Sequence, residues 1–159
     1  MEPLYPPGSG VVPREALKSV SGLEFMQRLL AGVIPPPPIA VTLGFAIASV
    51  ERGRVVCKGA PGANALNPMG IIHGGYAATL LDTCMGCAVM TGLDAGTGYT
   101  TLELKVSYVR PLDARSGELR ATGRTLQVGR RAAFAEGEVR DAADRVIAHG
   151  STTCLVFPL

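Results

Sequence analysis

Between Arg14 and Leu30 the apolar residues Leu17, Val20, Leu23, Met26, Leu29 and Leu30 recur at helical spacing, with Pro13 suited to the entry and Gly32 to the exit. The pattern predicts one amphipathic helix, weakened by Gly22. Pro35 to Pro38 then impose an extended polyproline II segment, a stiff spacer between that helix and the rest. Residues 1–38 therefore read as a loose Pro- and Gly-rich arm (1–13), a helix and a spacer, ahead of a main domain over 39–159. Within that domain, Ile39 to Glu51 and Arg54 to Ala60 predict two strands joined at Arg52-Gly53. After a glycine-rich loop, the stretch from Gly75 to Met90 is rich in Ala, Leu and Met without proline, so it predicts a helix that Gly92 stops. Strand character then runs nearly to the end, over Tyr99 to Val109, Gly117 to Val128, Ala132 to Arg140 and Val146 to Val156. Contiguous strands after one long helix argue for an α+β domain with an antiparallel sheet rather than a βαβ fold.

The long helix has no continuous polar face, since Ala77, Ala78, Leu80, Leu81, Cys84, Met85, Ala88 and Val89 surround it, so it must be buried on most sides. Inside the curl of an antiparallel sheet is the obvious place. Asp82 is then anomalous, because a desolvated carboxylate needs a partner and the adjoining turns carry no basic residue. Hydrogen bonds from a nearby backbone or Thr would satisfy it, but buried unpaired acids concentrate at functional sites.

Composition narrows the classes. The chain has 159 residues, with 47% hydrophobic, 18% charged and a formal net charge of +2. That is one domain with a real core and no strong field for nucleic acid. The charged share lies below the ~25% usual for globular domains, which makes a subunit interface plausible. The first residues, MEPLYPPGSG, lack the apolar segment of a secretory signal. Tyr76 to Leu93 is almost long enough to span a bilayer, but Asp82 would sit near its middle, so it reads as a buried helix and the chain as cytoplasmic. Cys84 and Cys87 have CxxC spacing, yet no Lys, Arg or His lies near them to activate a thiol, and Cys57, Cys154, His73 and His149 form no second ligand pair. Reduced core thiols are expected, with no metal.

Upstream of Asp82, His73-Gly74-Gly75 opens the long helix, where two glycines leave room for a ligand to approach free backbone N–H groups. The run Asn67-Pro68-Met69-Gly70-Ile71-Ile72-His73-Gly74-Gly75, followed by Ala78-Thr79-Leu80-Leu81-Asp82, by Thr101 in TTLELKVSYVRP and by Val128-Gly129-Arg130-Arg131, resembles the hotdog-fold thioesterases. The likeness is to the acyl-CoA thioesterases related to the phenylacetate-degradation enzyme, and it runs from about Ile39 to Phe157. The resemblance implies a long helix wrapped by a curved antiparallel sheet, with the N-terminal helix as an addition, in a homodimer that commonly forms a dimer of dimers. It also implies hydrolysis of acyl-CoA without metal or organic cofactor, coenzyme A being part of the substrate. Asp82 would be nucleophile or general base, and the Gly74 amide would polarise the carbonyl. Asn67 and His73 would support the loop or acyl group, and Thr101 would position water. Gly75, Thr83, Gly129, Arg130 and Arg131 are the candidate contacts to substrate, the arginines suiting the phosphates of coenzyme A. Lys58, Arg110 and Arg124 are further candidates, whereas Tyr99, Tyr108 and His149 have no motif support.

Thioester hydrolysis needs an attacking group at the carbonyl carbon and donors at the oxygen. Eight residues separate Gly74 from Asp82, about 12 Å along one helix, too far for both to serve one thioester. The spacing predicts that Gly74 of one chain faces Asp82 of another across a dimer interface. Two alternatives share the fold: a non-catalytic acyl-CoA sensor, which would not need Asp82, and a dehydratase, which usually pairs His with an acid on its helix, a pairing missing from 76–91.

Overall fold

In the computed structural model, residues 7–113 and 116–159 are described. Three short helices come first: α1 (Arg14–Leu17), α2 (Gly22–Leu30) and α3 (Pro38–Leu43). They lead into strands β1 (Phe45–Glu51) and β2 (Arg54–Gly59), a single 3-10 turn (Ala63–Ala65) and the long helix α4 (Gly74–Met90). Strands β3 (Thr97–Tyr108), β4 (Leu119–Val128), β5 (Ala132–Arg140) and β6 (Val146–Pro158) complete the chain.

The N-terminal segment departs from expectation in three ways. The single helix over Arg14 to Leu30 is two, because Ser21 adopts an extended conformation and its hydroxyl accepts a hydrogen bond from Glu24 N–H at 3.2 Å, capping a fresh helix. Gly22 is a contact point as much as a weakness: its N–H donates to Leu93 O at 3.0 Å, and a Cβ there would lie 1.8 Å from Met90 O. The strand expected from Ile39 begins at Phe45, because Pro38 takes the first position of α3 and Gly44, at φ 68°, ends it in the left-handed region. The prolines also do not hold the first helix away from the rest. α2 packs against β1 and α4, with Met26 buried. Of the arm over 1–13, residues 1–6 lie outside the described part, and Gly10 N–H is tied to Pro36 O at 3.0 Å.

All six strands form one curved antiparallel sheet in the order β1-β2-β4-β5-β6-β3. The helix α4 packs against all six of them, and Leu80, Leu81, Cys84, Met85, Ala88 and Val89 are fully buried. What lets it sit so close is a row of glycines. Gly123 pairs with Gly137 and Gly137 with Gly150 across β4, β5 and β6. A Cβ on Gly123 would lie 2.3 Å from Cys84 O, and one on Gly137 would lie 3.0 Å from Met85 Cγ. Burial is incomplete on one flank of α4, where Gly75, Ala78, Thr79, Asp82, Thr83 and Cys87 keep some exposure. At the far side of the sheet, β3 is an edge strand whose Leu102 is 63% exposed.

Candidate active site

Asn67 builds the approach to α4. Its side-chain oxygen accepts from the N–H groups of Met69 and Ile71 at 2.9 and 3.1 Å, its own N–H donates to Ile71 O at 2.8 Å, and Gly70 turns through φ 75°. The loop so tied delivers His73 N–H to Ala65 O at 2.7 Å. His73 then caps α4: Gly75 N–H donates to its Nδ1 at 2.8 Å, and Tyr76 N–H donates to its carbonyl oxygen at 2.9 Å. Of the first three N–H groups of the helix, Gly75 and Tyr76 are therefore used, whereas Gly74 N–H has no acceptor among the described residues. A free amide at the positive end of a 17-residue helix is suited to a developing oxyanion.

Tyr108, on the edge strand, packs against Gly74. Its hydroxyl donates to Gly74 O at 2.9 Å, and a Cβ on Gly74 would come within 3.1 Å of its ring. The sequence gives no local signal for this contact, which arises where the end of β3 passes the start of α4. The only trace is the glycine that makes room for the ring. Ile71, Gly74, Tyr108 and Arg110 line a cleft of about 310 Å³ at this end.

Two turns along α4, Asp82 is half-buried and has no cationic partner among the described residues. Thr101 of β3 donates its hydroxyl to Asp82 Oδ1 at 2.9 Å. That bond fixes one carboxylate oxygen and leaves the other with lone pairs to spare. Cys154 pairs with Thr101 in the β3–β6 register. Behind it, Tyr99 is desolvated and its phenol held well above the usual range by burial, with the thiols of Cys87 and Cys154 adding to the effect. Burial likewise raises Cys57, Cys84 and Cys154, and pushes the Cys87 thiol up to about 12. All four cysteines are free, and no group of three or more His, Cys, Asp or Glu among the described residues could hold a metal ion.

The structure does not bring every candidate together within the chain. Gly74 and Asp82 lie on one continuous helix, so the separation of about 12 Å stands. Gly129, Arg130 and Arg131 form the β4–β5 turn, where Gly129 N–H donates to Ala132 O at 2.9 Å. Val128 beside it lies against Gly92, so this turn sits at the C-terminal end of α4, opposite to Gly74. Both arginines are exposed, without an ion-pair partner among the described residues. Lys58 is paired with Glu118 at 2.9 Å, and Arg110 donates to Val146 O at 2.6 Å. Thr83 lies on the flank of α4 facing α2, and His149 is exposed on β6. Among the described residues no helix is long and apolar enough to cross a membrane.

Comparison with known proteins adds a lineage to this geometry. A family model described as the thioesterase superfamily matches residues 69–148. A crystal structure from Ralstonia eutropha JMP134, titled a "putative thioesterase, phenylacetic acid degradation-related protein", superposes with a TM-score of 0.74 at 31% identity, covering 82% of this chain and 98% of that one. A Caenorhabditis elegans protein named as a "putative esterase" is 35% identical over 111 residues, 69% of this chain. The match spans 64% of that relative's own length. Human acyl-coenzyme A thioesterase 13 is 25% identical over 142 residues, 88% of this chain and 91% of that protein.

Proposed function

The chain belongs to the thioesterase superfamily, and on that premise we propose that it is an acyl-CoA thioesterase that splits R–CO–S–CoA with water into a free carboxylic acid and coenzyme A. The arrangement along α4 carries this reading: a spare amide at Gly74 and an unpaired carboxylate at Asp82, held by Thr101. The first suits the carbonyl oxygen, where negative charge develops. The second suits attack, either directly on the carbonyl carbon or by taking a proton from water. Protonation of the departing thiolate completes the balance. Asp82 and the Gly74 amide supply both the base and the electrostatic stabilisation, so the reaction as proposed needs no metal or organic cofactor. Four unlinked thiols suit a cytoplasmic setting.

The reading requires two chains. Gly74 of one subunit and Asp82 of another would complete each site, in a homodimer that pairs further into a dimer of dimers. The uncovered flank of α4 and the free edge of β3 support it: small residues at Gly75 and Ala78 permit close approach, and the outer edge of a 12-residue strand is a ready surface for a second copy. With α4 helices antiparallel across the interface, the Arg130-Arg131 turn of one chain approaches the Gly74 end of the other, where the phosphates of coenzyme A would need cations. Thiol release from a panel of acyl-CoAs, with Asp82→Asn beside wild type, tests the activity. No turnover by wild type on any thioester, with tight acyl-CoA binding retained, would sink it in favour of a sensor.

A further inference from the structure

Between the N-terminal segment and α4 lies a cavity of about 250 Å³, bounded by Leu29 and Ile34 on one side, Phe45 and Ile47 of β1, and Thr83 and Cys87 of α4. Among the described residues no charged side chain lines it, and the only polar side-chain groups are the Thr83 hydroxyl and the Cys87 thiol. An uncharged apolar occupant is therefore favoured. Thr83 follows Asp82 directly, so the cavity begins at the level of the carboxylate. Thr79, one turn earlier, ties its hydroxyl to Gly75 O at 2.8 Å, whereas the Thr83 hydroxyl has no hydrogen-bond partner among the described residues. The outer wall is firmly docked, since Gly22 N–H bonds to Leu93 O and Met26 is buried.

We propose that the N-terminal segment builds the acyl pocket, with a medium-length linear hydrocarbon chain lying between α2 and α4 and Thr83 at its mouth. This rests on the thioesterase reading for the position of the reacting carbonyl. The volume is below the ~300–1,000 Å³ usual for drug-sized ligands, which favours a medium over a long chain. The chain enters the subunit that contributes Asp82, and α2 sets how far it can run.

The test compares kcat/KM for acetyl-, hexanoyl-, decanoyl- and palmitoyl-CoA in wild type, Thr83→Phe and Leu29→Ala, with thermal melting to verify folding. Thr83 lines the cavity from α4, so a phenyl ring there obstructs it. The decanoyl-to-acetyl ratio should fall at least about ten-fold in Thr83→Phe, and the optimum should move to longer chains in Leu29→Ala. A ratio unmoved in a folded Thr83→Phe overturns the pocket. In parallel, 1-decanol should raise the melting temperature of wild type but not of Thr83→Phe. That protection without any acyl-CoA turnover would keep the pocket and sink the thioesterase reading. Turnover with an unmoved chain-length ratio would do the reverse.

Discussion

Thr101 on the edge strand gives its hydroxyl hydrogen to Asp82 on the central helix across 2.9 Å, so the carboxylate is aimed by a residue of a different element. On the proposed mechanism, Asp82→Asn keeps the shape but removes the attacking or proton-accepting carboxylate, and kcat should fall about 10²–10⁴-fold. Thr101→Val removes one hydrogen bond to a charged group, worth about 1.5–3 kcal/mol, and should lower kcat about 10–100-fold, with Thr101→Ser recovering most of it. Steady-state kinetics on one acyl-CoA decides this. A Thr101→Val enzyme with unaltered kcat would remove Thr101 from the site.

The Gly74 amide can be deleted with little else. Gly74 is the first residue of α4, where proline is tolerated, and the preceding His73 already has the extended conformation that proline demands, at φ −61° and ψ 135°. Gly74→Ala adds the same Cβ against Tyr108 but keeps the N–H. The proline variant should lose about 10²–10³-fold in kcat beyond the alanine one. Mixed and refolded with Asp82→Asn, it should regain about a quarter of wild-type activity, because random pairing gives half heterodimers with one intact site each. No recovery on mixing would count against a shared site.

The cysteines should be inert in the folded protein. Desolvation keeps the Cys87 thiol protonated up to about pH 12 and the other three raised as well. A chromogenic disulfide at pH 8 should titrate almost no thiol in the native state and all four after unfolding. Rapid native reaction of Cys84 and Cys87 would revive redox chemistry for the CxxC pair.

Asp141 should govern acid stability. The Arg145 guanidinium donates to its carboxylate at 2.7 Å, and the N–H groups of Arg145 and Ala143 donate at 2.9 and 3.0 Å, holding its pKa below the ordinary range. A lowered folded pKa means the stabilisation is full above the unfolded value of about 3.9 and is lost as pH falls through the folded one. Asp141→Asn should therefore melt below wild type at neutral pH, with the difference shrinking below about pH 4. A difference constant across pH would show that the charge is not what matters.

What could be read from the chain was what short-range pattern encodes. The helix expected from Gly75 to Met90 begins one residue earlier, and the strand expected over Ala132 to Arg140 has those bounds, because glycines and turns punctuate both. Of the motif residues, Asn67 ties the loop before α4, His73 caps the helix at Gly75 N–H, and Asp82 and Thr101 meet. The N-terminal segment misled for local reasons: an apolar period continued across Ser21 although that serine caps a new helix, and a proline run concealed the one that opens α3. Contacts fixed by sheet register were invisible, among them Tyr108 over Gly74. The flank of α4 around Asp82 also looked closed from composition, whereas the small and polar residues there are what a single chain leaves uncovered.

Replacing strand glycines by alanine is an ordinary route to a more heat-tolerant protein. Gly123, Gly137 and Gly150 are closed to it. At Gly123 and Gly137 the missing side chains let α4 rest close to the sheet, and at Gly150 a Cβ would meet Lys105 O of β3. A methyl group at Gly123, 2.3 Å from Cys84 O, would lift the helix like a shim under a lens mount. Engineering for robustness must start elsewhere, because in this sheet emptiness is the alignment.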